Sequence, residues 1–77
     1  MDKQQIAHTL EKEISMIDIN IRRLHQVYMQ TIDSHQQRDI YDAIQDLTRT
    51  KKELEKIIEK IVEDARNYSP RVKYDLM

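Results

Sequence analysis

The segment TIDSHQQRDI, residues Thr31 to Ile40, lies near the middle of a 77-residue chain that contains no glycine and a single proline. Glycine and proline are the residues that most often interrupt helices and form turns, so their scarcity indicates an all-α chain. Two arrangements agree with this composition: one helix that runs through the segment, or two helices that turn there. The surface that the protein offers to other molecules depends on which of them forms.

Apolar residues on both sides of this segment recur at alternating intervals of three and four residues. This spacing is the heptad repeat along which one α-helix packs against another. Before the segment, the repeat puts Ala7, Ile14, Ile21 and Tyr28 at position a, and Leu10, Ile17 and Leu24 at position d. After it, the d positions are Ile40, Leu47, Leu54, Ile61 and Tyr68, and the a positions are Ile44, Lys51, Ile58 and Ala65. We call these two rows the seam; Lys51 is its one charged member.

The two rows do not continue in phase through the middle of the chain. Extending the first repeat would bring polar residues into the seam, namely Thr31, His35, Arg38 and Asp42. A break is therefore expected, and a new helix has two candidate caps: Ser34, in a capping box with Gln37, or Asp33. The lack of a glycine to end the first helix argues for a continuous helix, because a left-handed C-cap usually takes glycine.

An antiparallel hairpin requires that facing seam residues have position numbers with a constant sum. Tyr28 with Ile40, and likewise Leu10 with Ile58, give 68, and the midpoint falls at Ser34. The sequence thus predicts an antiparallel, coiled-coil-like helical hairpin over residues 1–68, which dimerises into a four-helix bundle. Its expected parts are a helix over 3–32, a turn over 33–35, a helix over 36–68 and a flexible C-terminal tail over 69–77.

The outer side of the first helix is the predicted partner interface. Between residues 15 and 32 the chain has only three charged residues, and apolar side chains alternate with polar ones away from the seam. A solvated face is the alternative, because single exposed apolar residues are normal on protein surfaces. Methionine suits an adaptable interface. The predicted interface residues are Met16, Ile19, Asn20, Arg23 and Met29.

Further apolar residues flank the seam on both helices, which is typical of helices that contact more than one neighbour, as in a four-helix bundle. They are Ile6, Val27, Ile32, Tyr41, Ala43, Ile57 and Val62. A chain this short rarely gathers more than about 3–5 kcal/mol from its own core. We therefore expect a homodimer, a heterologous protein partner, or both.

Two further features each allow two interpretations. Lys51 either extends to water near Asp18 or Glu13, or it fixes register or oligomeric state at some cost in stability. In the tail, apolar residues alternate with polar ones after Pro70, which predicts either a short docking segment or a frayed terminus. The docking residues would be Val72, Tyr74 and Leu76.

No residues are spaced for catalysis or for cofactor binding. His8, His25 and His35 are far apart in the sequence, the chain has no cysteine, and a glycine-free chain cannot form a glycine-rich phosphate loop. The sequence therefore predicts that the chain is not an enzyme. It also predicts no catalytic residue, no metal, no cofactor and no small-molecule ligand.

The charge balance narrows the choice of partner. The net charge is −1, with 13 basic and 14 acidic residues intermixed, which gives little attraction to nucleic acid or to a membrane surface. No apolar run reaches the roughly 20 residues of a membrane span, and the N-terminus is too polar for a signal peptide, so we expect a cytoplasmic protein. The favoured function is a non-enzymatic protein–protein interaction module, namely a small adaptor, regulator or chaperone-like protein. The alternative is a dimeric helical hairpin that binds RNA or DNA through a basic patch near the turn. Its residues would be Arg22, Arg23, Arg38, Arg49, Lys51 and Lys52.

Overall fold

The computed structural model describes residues 1–68 of the chain and the side chains of residues 1–64. Two α-helices, α1 (Lys3–Gln30) and α2 (Ser34–Tyr68), pack against each other as a hairpin. Their 28 and 35 residues correspond to lengths of about 42 and 52 Å. The prediction of an all-helical chain folded as a two-helix hairpin is confirmed. The predicted docking residues Val72, Tyr74 and Leu76 lie outside the described residues.

The start of α1 is fixed by a capping box that is not among the features predicted from the sequence. The Asp2 carboxylate accepts a hydrogen bond from the backbone N–H of Gln5 at 2.8 Å. In return, the Gln5 side-chain oxygen accepts one from the backbone N–H of Asp2 at 3.0 Å. Each side chain thereby satisfies a backbone donor that the first turn of a helix leaves without an intrahelical partner.

The link between the helices consists of Thr31, Ile32 and Asp33. The backbone becomes extended at Thr31, with φ −86° and ψ 131°, and no described residue has a positive φ, which explains why no glycine is needed. The sequence predicts helix at Thr31 and Ile32, so the link begins two residues earlier than expected. Ile32 consequently leaves the flank of α1 and is 95% exposed.

Asp33, and not Ser34, caps the start of α2. One oxygen of its carboxylate accepts hydrogen bonds from the backbone N–H groups of His35 at 2.8 Å and of Gln36 at 3.1 Å. The box predicted between Ser34 and Gln37 does not form, because the Gln37 side-chain amide is used elsewhere. It donates to the backbone carbonyl of Thr31 at 2.8 Å and to that of Tyr28 at 3.5 Å. Gln37 therefore joins the second helix to the end of the first.

The seam residues lie between the two helices, but the core that they form is shallow. Among the described side chains, the buried hydrophobic ones are Ile17, at 6% exposure, and Ile44, at 4%. The other predicted core residues are half-buried: Leu10, Ile14, Ile21, Leu24, Tyr28, Ile40, Leu47, Leu54, Ile58 and Ile61. A seam between only two helices leaves the edges of most of its side chains open to water.

The capping of α2 gives a matched test. Asp33→Ala should lower the free energy of unfolding by about 1 kcal/mol, because two backbone donors of the first turn lose their acceptor. Ser34→Ala, one residue later, should change it by about 0.5 kcal/mol or less, since Ser34 is exposed and is not the cap. Urea denaturation followed by circular dichroism measures both values. A larger loss in Ser34→Ala than in Asp33→Ala would contradict the assignment of the cap.

Candidate interaction surface

An ion pair between the two helices shows which side of the hairpin is polar. The Lys51 ammonium nitrogen lies 2.8 Å from a carboxylate oxygen of Asp18, and the two side chains are 30% and 39% exposed. Lys51 faces Ile17 in the register whose facing residues sum to 68, so its neighbour Asp18 is within reach. Of the two acidic residues considered for Lys51, Asp18 is the one that it contacts.

The same contact raises the pKa of Lys51 above its ordinary value. The main cause is the hydrogen bond to Asp18, and the attraction of the Asp18 charge adds to it; a smaller contribution comes from Glu55. Partial burial acts in the opposite direction. Since the charged form of Lys51 is favoured in the folded protein, the seam contains a stable ammonium group beside the buried Ile17.

The ion pair divides the hairpin into two flanks. When a faces d in antiparallel helices, the e positions of both helices lie along one side of the seam and the g positions along the other. Asp18 is an e residue, so the ion pair lies on the first side. We call this side the e flank, with Glu11, Asp18, His25, Tyr41, Thr48, Glu55 and Val62. The opposite side is the g flank, with Ile6, Glu13, Asn20, Val27, Ala43, Thr50, Ile57 and Asp64.

The g flank is the more apolar of the two near the turn. Val27, in this part of the flank, is 47% exposed although it is a large hydrophobic residue. Ile57 is also 47% exposed, but it lies farther from the turn, at the level of residue 11. The two charged members, Glu13 and Asp64, lie toward the end of the hairpin that is far from the turn. The part of this flank nearer the turn therefore has no charged residue, which makes it suited to contact with another protein surface.

Four of the five predicted interface residues form one patch next to the g flank. Met16, Ile19, Asn20 and Arg23 are all exposed and are spaced three or four residues apart on an uninterrupted helix, so they are neighbours on its surface. Met16 is 55% exposed and Ile19 is 39% exposed. Asn20 belongs to the g flank itself, so it connects the patch to Val27. We call Met16, Ile19, Asn20, Arg23, Val27 and Ile57 the Met16 surface.

The structure does not bring Met29 into this patch. Met29 is 79% exposed, but it follows Met16 by thirteen residues. On an α-helix this separation is about 20 Å along the axis and about 140° around it. Val27 and Ile57 are the members that the predicted interface lacks. Their shared heptad position, g, is the signal in the sequence that links them to Asn20.

The basic patch of the nucleic-acid alternative is partly neutralised by carboxylates. Arg49 makes an ion pair with Asp46 at 3.2 Å within α2, and Lys51 makes the one with Asp18. Pairing of this kind weakens the positive field that attracts the phosphates of a nucleic acid. The structure therefore gives less support to this alternative than the number of basic residues suggests.

A depression near the start of α1 is lined mostly by polar side chains. This depression of about 500 Å³ lies against the first turns of α1, where Asp2 and Gln5 among its lining residues already belong to the capping box. His8 and Glu11 also line it, and both are exposed. Within residues 1–68, no group of three or more His, Cys, Asp or Glu side chains is placed to hold a metal ion.

Comparisons with known proteins do not assign a function to this chain. The chain matches no protein-family model, no curated protein and no solved structure. Neither described helix is long and apolar enough to cross a membrane. A functional proposal therefore depends on the exposed apolar residues and on the ion pair described above.

The raised pKa of Lys51 predicts how stability depends on pH. A lysine whose pKa is higher in the folded than in the unfolded chain stabilises the fold fully below the unfolded value, about 10.4. That contribution is lost as the pH rises through the higher folded value. The parent chain should therefore lose more stability in strongly alkaline solution than Lys51→Met does, as measured by urea denaturation at a series of pH values. Parallel pH dependence in the two proteins would contradict this role of the ion pair.

Proposed function

We propose that this chain is a non-enzymatic protein–protein interaction module and that it binds a second copy of itself through the Met16 surface. The observation that carries the proposal is the shallow core. Ile17 and Ile44 are the only hydrophobic residues of the described part that are buried, while Met16, Val27 and Ile57 are about half exposed. Burial of apolar surface is the main source of stability for a small domain. Contact with a second hairpin would bury apolar side chains that the seam of one hairpin leaves exposed.

A four-helix bundle is the arrangement that would cover the g flank. Two hairpins that meet flank to flank give every helix two helical neighbours, and half-buried seam residues would then be enclosed from a second side. A two-fold dimer presents the same surface from both copies, so an apolar patch meets an apolar patch. The uncharged part of the g flank fits this requirement, whereas the e flank carries Glu11, Glu55 and the Lys51–Asp18 pair.

The positions of the charges support an antiparallel arrangement of the two copies. In the hairpin register, Thr50 lies at the same level as residue 18, because the two numbers sum to 68. A two-fold axis that crosses the g flank at this level would place Ile57 of one copy against Ala43 of the other. It would also place Arg23 of one copy at the level of Glu13 of the other, so opposite charges would meet at the edges of the contact.

The role that follows is that of a small adaptor or regulator, whose dimer presents the remaining exposed faces to other proteins. Met29 and Tyr41, at 79% and 52% exposure, lie outside the Met16 surface and would stay accessible on such a dimer. Met and Tyr are both common in protein–protein interfaces. A chaperone-like role would use the same accessible faces.

Two residues of α2 provide a matched pair for testing the surface. Ile57 is 47% exposed on the g flank and Val62 is 46% exposed on the e flank, so glutamate at either site removes a similar apolar contact. Ile57→Glu should weaken self-association by at least about tenfold, which is about 1.4 kcal/mol. Val62→Glu should leave it near the value of the parent chain. Analytical ultracentrifugation over a range of concentrations measures the association.

A second variant tests the outer side of α1 in the same assay. Ile19→Asp should keep its helicity by circular dichroism, because Ile19 lies away from the seam, but should lose association. Association that weakens equally in Val62→Glu and Ile57→Glu would contradict the proposed surface. Salt-dependent retention on RNA or DNA that disappears when Arg22 and Arg23 are replaced would favour the nucleic-acid alternative instead.

A further inference from the structure

The ion pair between Lys51 and Asp18 has an unusual place in the hairpin. It is the only ion pair between the helices among the described residues, and Lys51 is the only charged residue in either row of the seam. The charge lies beside Ile17, one of the two buried side chains. An apolar residue at position 51 would complete the second row, so the lysine interrupts the seam where packing is best.

The seam row of α2 is apolar enough for this helix to pair with a second α2 helix instead of with α1. Its apolar residues repeat from Ile40 to Ile61 with Lys51 as the only interruption, and α2 is 35 residues long. A helix with such a row is able to form a coiled coil with a second copy of itself. Parallel pairing of two α2 helices would compete with the packing of α2 on α1.

Lys51 affects these two pairings in opposite ways. In the hairpin its ammonium group lies 2.8 Å from the Asp18 carboxylate. In a parallel pair of α2 helices, a positions face a positions, so Lys51 of one chain would face Lys51 of the other. Two like charges in a seam repel each other and lose hydration, which makes that pairing costly.

We propose that the Lys51–Asp18 pair is a pairing-specificity device, which directs α2 to α1 and disfavours parallel association of α2 helices from two chains. Helix α1 supplies the carboxylate that the lysine requires, and a second α2 in parallel does not supply one at the facing position. The three-residue link also favours pairing within one chain, because it keeps α1 close to α2. At high protein concentration the link alone favours the hairpin less strongly over parallel pairing of α2 helices, and there the ion pair adds to the preference for the hairpin.

A single cysteine makes the competing pairing measurable in the full chain. The chain has no cysteine, and Leu54 is a half-buried d residue one turn after Lys51. In a parallel α2 pair, two cysteines at position 54 would face each other and form a disulfide. In the hairpin, and equally in a dimer formed through the Met16 surface, residue 54 faces α1. The disulfide-linked fraction of Leu54→Cys under mild oxidation therefore reports parallel pairing independently of the proposed function.

Two substitutions in the Leu54→Cys background separate specificity from stability. Lys51→Leu should raise the disulfide-linked fraction several-fold, because the repulsion in the parallel pair is gone. Asp18→Asn should lower the thermal midpoint of the hairpin and raise the linked fraction only slightly, because Lys51 still faces Lys51 in the parallel pair. If the ion pair only stabilised the hairpin, the linked fraction in Asp18→Asn should rise at least as much as in Lys51→Leu. An unchanged fraction in Lys51→Leu, or an increase in Asp18→Asn as large as that in Lys51→Leu, would overturn the proposal.

Discussion

Two helices in contact hide only the side chains that lie directly between them, and this limit shapes the whole molecule. In the described part of the chain, it leaves Ile17 and Ile44 as the only buried hydrophobic residues. The other seam residues whose side chains are described are half-buried, and large apolar residues remain exposed on both flanks. Residues 1–68 form no third element that could cover these side chains, which is why we propose that a second copy covers them.

The hairpin forms without glycine because side chains complete the hydrogen bonding of the link. Asp33 accepts from the first backbone donors of α2, and Gln37 of α2 donates to the carbonyls of Thr31 in the link and of Tyr28 near the end of α1. Thr31 also contributes, since its hydroxyl group donates to the carbonyl of Val27 at 2.6 Å. These bonds replace the left-handed glycine that usually ends a helix, and the bonds of Gln37 connect the two helices directly.

The heptad pattern was sufficient to predict the fold, because the change of phase after Tyr28 excludes a single straight seam. It was not sufficient to choose the cap, since Asp and Ser have similar N-cap preferences. The choice depends on Gln37, whose amide donates to the carbonyls of Thr31 and Tyr28 in the hairpin and so does not form the predicted box with Ser34. The sequence likewise does not decide the partner of Lys51. It allows both Asp18 and Glu13, and the packing of the two helices brings Asp18 into contact. The sequence also puts Met29 on the outer side of α1; it is exposed, but it lies about 140° around the helix from Met16 and so does not join the Met16 surface.

The central claim is that this hairpin completes its core with a second copy of itself, so that folding and association are coupled. Thermal unfolding of the full chain, followed by circular dichroism over about a hundredfold range of protein concentration, tests it most directly. If the dimer contributes to stability, mass action requires the midpoint temperature to rise with concentration. A midpoint that stays constant over that range would show a hairpin that folds alone, and would contradict the claim.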